Sequence, residues 1–541
     1  MMETPRQTGE MEVQRPVTDG PATLVEGNSG TVLPGGWWRW DVLLCLVVSM
    51  VSAALLPLDD TDLPMHLRTG AWILEHGTVP FVEPFAWTRD GAPFYAYSWL
   101  PEVLYQLAWS KGGPWGLSLL HAVFVAGAVA ALWDLARTAC WSLWATRLVV
   151  SIHLILWLLV QPATRPQLML AIALPLAWAG AIRLRDHSSV SNPWRGLIRV
   201  WFAALLAVNA HLFFLLTIVP GVVLLAANPV PWRNALLYVG ATVLGWLCTP
   251  YALKLLDILR LYLSPNPLVG LASPITELEN GFAVLMHSGI GTRILVGILL
   301  VLPLLPFMSS LRQRERWWYG MAWMAGLGLY GLALRGLLIW WLLALPLVAM
   351  AFASIPLPSL TLTKRLVVVG WMVSIVGLVG QGLTMRQKMP RVDILPHSES
   401  PALAKAVGVL SCLFQKDANS QPVRGTTVFN YGSYLTWRVP TVSWSVDGRS
   451  IFPDSVAMAE VRQELRHGSL VEPPWRSSEL ALLPPGHATI GHIAADSGWE
   501  RVAFSPDTAA SGAELWIRRS LARKHNECLL VGNSGGDASK P

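Results

Sequence analysis

The sequence predicts an all-α polytopic membrane domain of about eleven spans, followed by a small α/β domain. Three observations predict it. Apolar runs of spanning length recur through residues 37–385 of a 541-residue chain that is 53% hydrophobic and only 14% charged. The Arg and Lys residues fall mostly in short loops between those runs. After residue 385 the pattern changes to short β-prone runs that alternate with helical stretches.

Taken in order, residues 1–36 are polar and rich in Gly, Pro, Glu and Thr. They lack a charged, then apolar leader ending in small residues, so they read as a disordered tail that leaves the first apolar run in the membrane. Spans are expected near 40–57, 116–136, 147–161, 168–184, 197–209, 212–228, 235–249, 290–308, 317–334, 336–355 and 365–383. Asn209-Ala210-His211 divides two of them and reads either as a tight turn or as a polar break inside one long helix. Arg137, Arg147, Arg183, Arg185, Arg195, Arg199, Arg233, Arg312, Arg314, Arg316, Lys364 and Arg365 lie in or beside alternate loops, whereas the opposite loops hold fewer basic residues. By the positive-inside rule the amino terminus is cytoplasmic and the loop after the first span is outside. An odd number of spans then places the carboxyl-terminal domain outside as well. The net charge of +6 is thereby used for orientation, and nucleic acid is not an expected partner.

The first outer loop, residues 58–115, is rich in aromatics, with expected interfacial helices over 63–76, where Pro64 falls in the first turn, and over 98–110. A second outer segment, 250–285, begins at Thr249-Pro250-Tyr251, which reads as a helix stop. The α/β domain is expected over 386–530, with helices at 401–411 and 455–467 and strands around Thr426–Phe429, Val442–Val446, Leu480–Leu483, Arg501–Phe504 and Leu515–Ile517. Residues 531–541 read as an unstructured tail. Five cysteines are too few for a disulfide scaffold, but Cys412 and Cys528 both lie in this domain and can pair if it is exported. No Cys/His spacing suits zinc.

The chemistry-bearing stretch is Asp59-Asp60-Thr61-Asp62-Leu63-Pro64-Met65-His66-Leu67-Arg68-Thr69-Gly70, which sets three carboxylates and a histidine directly after the first span. On a helix Asp62 and His66 share a face. Asp62 serves equally well as a helix cap. His76 and Arg68 read as interfacial residues, and Glu83 as either a turn residue or a ligand. Arg165, between two spans on the outer side, runs against the orientation bias, and so does Arg335; each either reaches headgroups or meets an anion such as a phosphate. Asn209 and His211 either bracket a turn or face a polar cavity.

These residues also carry a resemblance. Asp60–Gly70, then Ile73-Leu74-Glu75-His76-Gly77-Thr78-Val79-Pro80, Glu83-Pro84-Phe85 and Trp99-Leu100-Pro101-Glu102 resemble a bacterial branch of the GT-C superfamily of membrane glycosyltransferases, a mannosyltransferase-like branch that uses polyprenyl-phosphate-linked sugars. Arg165-Pro166-Gln167, Asn209-Ala210-His211 and Thr249-Pro250-Tyr251 are similar to later landmarks of that branch, and Asn430–Arg438 with Val446-Asp447-Gly448-Arg449 to its tail-domain signature. The chain departs from the pattern at Pro64-Met65, where a paired aromatic is usual, at Glu83 in place of Asp, and at Tyr97-Ser98 in place of a His-Glu pair. Those departures bear on the acceptor side of the site and on the level of activity.

The resemblance implies a bacterial inner-membrane enzyme in which an outer-loop carboxylate deprotonates an acceptor hydroxyl that attacks the anomeric carbon with inversion. Asp62 is the expected base and Asp60 the second candidate. Arg165 and Arg335 are expected to hold the phosphate, with His66, Gln167, Asn209 and His211 as further substrate-binding residues. The donor would be a polyprenyl-phosphate sugar, and the acceptor a lipid, glycan or protein. No cofactor is required, although a divalent cation bridging Asp60, Asp62 and phosphate is compatible with the chemistry. The tail domain would cover the site or select the acceptor, with Asp447-Gly448-Arg449 either at its membrane-facing edge or in a turn that closes a strand. A lipid-linked-sugar flippase is the alternative from another class, but it calls for acidic residues within the spans, which are nearly free of them. A catalytically silent membrane scaffold is the third reading.

Overall fold

A computed structural model describes residues 62–160, 165–185, 193–227, 231–262, 280–304, 313–334, 336–354, 401–415, 422–447, 449, 474–502 and 513–524, together with Trp40, Leu43, Leu44 and Val47 of the first span. The expected span 365–383, the helix 455–467 and most of 40–57 lie outside the described residues, as do Asp59, Asp60 and Arg335.

The outer loop begins with α1 (Leu63–His76), whose bounds are those the sequence predicts. Pro64 is pre-set for its first turn, and Gly77 stops it at φ 65°, where a side chain would be strained. The helix expected over 98–110 is instead the first part of α2 (Trp99–Thr138), which runs on into the expected span 116–136. Gly113 (φ 52°, ψ −137°) and Pro114 break α2 in the middle, so the interfacial and spanning parts are joined through a bend.

The apolar helices follow as α3 (Leu143–Val160), α4 (Leu168–Arg185), α5 (Trp194–Val208), a 3₁₀ stretch (Leu212–Ile218) leading into α6 (Val219–Ala227), and α7 (Trp232–Leu247). Asn209-Ala210-His211 is therefore a turn between two helices and not a break within one. Thr249-Pro250-Tyr251 ends α7, and the chain turns through 103° into α8 (Leu255–Tyr262). Next come α9 (Gly281–His287), α10 (Ile290–Val301), α11 (Gln313–Leu332) and α12 (Gly336–Ser354). Within the expected span 290–308, α10 passes into a 3₁₀ turn at Leu302–Leu304 around Pro303, and residues 305–308 lie outside the described residues.

Among the described residues two helices, α2 and α4, are long and apolar enough to cross a membrane, or three spans if the bent α7–α8 pair counts as one. The other apolar helices among the described residues fall below that length or hydropathy, and parts of the expected spans lie outside the described residues. Their packing is nonetheless continuous. Trp133, Trp178, Trp340 and Trp341 are fully buried in one core shared by α2, α4 and α12. Gly180 and Gly196 let α4 and α5 approach so closely that a Cβ on Gly180 would lie 2.5 Å from Val200.

The tail domain is a five-stranded mixed sheet flanked by helices, α13 (Pro401–Gln415), α14 (Phe429–Arg438) and α15 (Ala488–Ala495) among them. Its strands are β1 (Val423–Thr427), β2 (Val442–Trp444), β3 (Leu480–Leu483), β4 (Trp499–Val502) and β5 (Glu514–Arg518), in the order β2-β1-β3-β5-β4. β1 runs parallel to β2 and β3, and β5 runs antiparallel to β3 and β4. The β-prone run expected at 426–429 is displaced, because Phe429 already begins α14. Cys412 is disulfide-bonded, and its partner is neither Cys140 nor Cys248, which are free.

One arrangement positions everything that follows. The edge strand β2 is capped by the outer loop: Trp444 bridges to Ala86, Ser443 Oγ donates to Phe85 O, Thr88 Oγ1 donates to Ser445 O, and Trp87 Nε1 donates to Gly425 O. An open sheet edge is thereby paired with the loop that carries the acidic motif.

Candidate active site

Helix α1 buries Leu63 and Leu67 against α2, and the two backbones touch at Gly70. A Cβ there would stand 2.1 Å from the carbonyl oxygen of Glu102, so only glycine permits the approach. The adjoining face of α1 presents Asp62, His66 and Thr69 to a cavity of about 150 Å³. That cavity is the center of the site.

Asp62 occupies the cap position of α1 but makes no capping hydrogen bond. Its Oδ2 lies 3.4 Å from Nη1 of the buried Arg165. Arg165, Pro166 and Gln167 form the turn that starts α4 and all three line the cavity. His211 enters from the α5–3₁₀ turn, and Tyr97 packs edge-on to both His211 and Tyr262. Five sequence-predicted residues, Asp62, His66, Arg165, Gln167 and His211, thus meet around one space. Asp60 and Arg335 lie outside the described residues.

Asn209 does not line the cavity. Its amide Nδ2 donates to Leu205 O and Cys248 O, both at 2.8 Å, and its Oδ1 accepts from Trp99 Nε1 at 2.7 Å. The side chain ties the end of α5 to the ends of α7 and the outer loop, so the structure does not bring this expected substrate-binding residue to the cavity lining. Among the other residues weighed from sequence, His76 stacks on Trp72, and Arg68 pairs with Glu75 on the same helix.

Glu102, to which the sequence assigned no role, is central. It sits in the first turn of α2, where the helix dipole favors a carboxylate. Its Oε1 accepts from His66 Nδ1 at 3.0 Å and from Ser98 Oγ at 3.2 Å, while Oε2 is buried with no hydrogen-bond partner among the described residues. Ser98, one of the departures from the family pattern, is therefore a donor to this carboxylate. Nothing local in the sequence marks the contact, since Glu102 and His66 are 36 positions apart and meet only through the α1–α2 approach.

The tail domain contributes Arg449, which lines the same cavity. It donates from Nη2 to Glu83 Oε1 at 2.8 Å and from Nε to Asp447 Oδ1 at 2.7 Å, and it lies over the ring of Phe94 at 4.5 Å. Both carboxylates are buried, with side chains 0% and 1% exposed. Burial raises Asp447 above the usual carboxylate range, the attraction of Arg449 opposes this, and the charge of Glu83 adds to the rise. Burial alone would lower Arg449, but Asp447 and Glu83 raise it overall. Glu83 also turns its own loop by accepting from Phe85 N and Ala86 N. Of the two readings of Glu83, the turn is the one these hydrogen bonds show.

Among the described residues no group of three His, Cys, Asp or Glu side chains is placed to hold a metal ion. Asp60, the other half of the proposed cation pair, is not among them.

No protein-family profile matches the sequence, and no curated protein matches it in sequence. In structure the chain is similar to ArnT from Cupriavidus metallidurans in the apo state, at TM-score 0.57 and 14% identity over 90% of this chain and 98% of that one. It is similar also to ArnT from Cupriavidus metallidurans bound to undecaprenyl phosphate, at TM-score 0.55 and 14% identity over 90% of this chain and 99% of that one. An archaeal oligosaccharyltransferase, AglB from Archaeoglobus fulgidus in complex with an inhibitory peptide and a dolichol-phosphate, aligns at TM-score 0.49 and 11% identity over 83% of this chain and 70% of that one. The ArnT alignment takes in apolar helices and tail domain together, and the chain accordingly has the GT-C fold, the one its first outer loop resembles in sequence.

Proposed function

We propose that this chain is a membrane glycosyltransferase that moves one sugar from a polyprenyl-phosphate carrier to an acceptor hydroxyl on the extracytoplasmic face, with inversion. The observation that carries the reading is the convergence of Asp62, His66, Arg165, Gln167 and His211 on one cavity within a GT-C fold. That ArnT binds undecaprenyl phosphate supports the donor class.

The chemistry follows from the side chains present. A phosphate leaving group departs as an anion, so the site needs a base and cationic support and no second carboxylic acid to protonate the leaving oxygen. Asp62 is the outer-loop carboxylate that faces the cavity. Arg165 offers a guanidinium fork suited to phosphate oxygens and steadies the charge that grows on them. Because Arg165 rests against Asp62, an arriving phosphate competes for the guanidinium and releases the carboxylate toward the acceptor. The cavity is smaller than the roughly 300–1,000 Å³ of a typical small-molecule site, which suits one end of a larger ligand.

The same contacts support the topology. The tail domain hydrogen-bonds the outer loop, so the two share one side of the membrane. A disulfide-bonded Cys412 favors an oxidizing compartment for that side. The reaction needs no cofactor, and a divalent ion bridging Asp60, Asp62 and phosphate is compatible with it. The acceptor is a lipid, glycan or protein hydroxyl.

The test is transfer of labeled sugar from polyprenyl-phosphate donors in membranes. Asp62→Asn is expected to lower the rate by roughly 100- to 10,000-fold, the usual contribution of a general base. Transfer by Asp62→Asn at the wild-type rate would remove Asp62 from the mechanism. Translocation of intact donor without transfer would convert the assignment to a transporter.

A further inference from the structure

The proposed mechanism leaves one built feature of the cavity unused, the buried contact between Glu102 and His66. We infer that Glu102 is a positioning residue that fixes His66 as the Nδ1–H tautomer, and that His66 thereby supplies the site with a second proton acceptor at Nε2. The inference rests on the transferase reading and deepens it.

The geometry sets the roles of the atoms. A carboxylate only accepts, so the 3.0 Å contact requires the proton on His66 Nδ1, and the other ring nitrogen is then the accepting one. The arrangement is graded from protein to cavity: the Glu102 side chain is 7% exposed and that of His66 20%. Ser98 Oγ gives the same carboxylate oxygen a second donor, which holds it in place. Oε2 meanwhile lies buried with no partner among the described residues, so the charge of Glu102 is directed chiefly to the imidazole. An amide at this position would pack as well but would bind Nδ1–H less strongly, and it could turn its NH₂ toward the ring and reverse the tautomer. Asp62, by contrast, is engaged by Arg165.

Among the described residues, the other charged or titratable groups on the His66 side of the cavity are Asp62 on its own helix, Arg165 and His211 from the turns before α4 and after α5, Arg449 from the tail domain, and the phenols of Tyr95, Tyr97, Tyr105 and Tyr262. In the step, the acceptor hydroxyl gives its proton to Asp62 as its oxygen bonds to the anomeric carbon, and His66 Nε2, one helical turn along α1, then takes that proton from Asp62. The bond from that carbon to the phosphate oxygen breaks, and its electron pair leaves with the phosphate. His66 becomes an imidazolium beside Glu102 and later returns the proton to water.

The experiment uses the full chain in lipid nanodiscs and reads two signals. The first is the ¹⁵N spectrum of histidine-labeled protein, with the His66 resonances assigned by their loss in His66→Asn. Wild type is expected to show the Nδ1–H tautomer, and Glu102→Gln to lose it or mix it with the other. The second is transfer against pH. Glu102→Gln is expected to lower kcat roughly 10- to 100-fold, to leave KM for the polyprenyl-phosphate donor unchanged, and to move the acidic limb of the profile. Ser98→Ala, which keeps the carboxylate and the packing, is expected to show both effects in weaker form, and it carries the test if Glu102→Gln does not fold. Wild-type kcat, pH profile and tautomer in Glu102→Gln would overturn the inference while leaving the transferase reading intact. Wild-type protein that transfers no sugar, with His66 still held as Nδ1–H, would overturn the transferase reading and with it the catalytic role of the pair.

Discussion

Replacing Arg449 with Met tests whether the tail domain is bolted to the outer loop by charge. The change keeps most of the apolar stem over Phe94 and Phe85 and removes the cation. Left behind are Glu83 and Asp447, two buried carboxylates that both touched the guanidinium. Breaking a buried ion pair by deleting one partner costs about 3–5 kcal/mol, because the remaining charge cannot reach water. At about 1.4 kcal/mol per factor of ten, the docked arrangement should open between two and four powers of ten more often.

The penalty should also depend on pH, and its sign follows from Asp447. This carboxyl is already raised in the folded protein by burial and by Glu83, with Arg449 opposing the rise, so removing Arg449 raises it further. A group whose folded value lies above its unfolded value is favored in the folded state at low pH, and that advantage is lost as pH rises through the folded value. The variant should therefore be closest to wild type in acid and furthest from it at neutral pH and above. Hydrogen exchange at the amides of Phe85 and Ala86, which donate to Glu83, reads the opening directly. Unchanged exchange, or a penalty as large in acid as at neutral pH, would refute the reasoning.

Two further changes separate positioning from contact with substrate. Gly70→Ala places a methyl 2.1 Å from the Glu102 carbonyl oxygen; it should cost roughly 1–3 kcal/mol by overpacking and should lower kcat by parting His66 from Glu102, as thermal unfolding and transfer assays in the same sample would show. Asn209→Ala removes three hydrogen bonds outside the cavity, so it should lower thermal stability while leaving KM for the donor near wild type, and a KM change with intact stability would return Asn209 to the substrate-binding residues.

What could be seen in the sequence was whatever obeys local rules. Helix α1 was legible because Pro64 and Gly77 punctuate it, and Asp62 and His66 share a face because they are four residues apart on it. Arg165 stood out because it runs against the charge bias from which the orientation was read. Glu102, Ser98 and Arg449 took part in recognizable motifs, but their partners could not be read, because hydrogen bonds across 36 or 366 positions follow from helix approach and domain docking. Asn209 shows the converse: a polar residue between apolar runs calls for partners, and here the protein itself supplies them. Hydropathy likewise does not register where a helix passes into a 3₁₀ turn at Pro303 or where the chain turns at Pro250.

The distance along the chain between the outer loop and the strand edge it covers has a consequence for biosynthesis. Trp87 waits for Gly425, 338 positions later, and Glu83 for Arg449, 366 positions later. At about 5–20 residues per second, synthesis alone imposes a delay of roughly 20–70 s. Throughout that interval the emerging loop holds Glu83 without the cation that will neutralize it, so the cavity lined by both segments can be completed only once Arg449 has been synthesized, and a chain truncated before residue 449 would leave it unfinished.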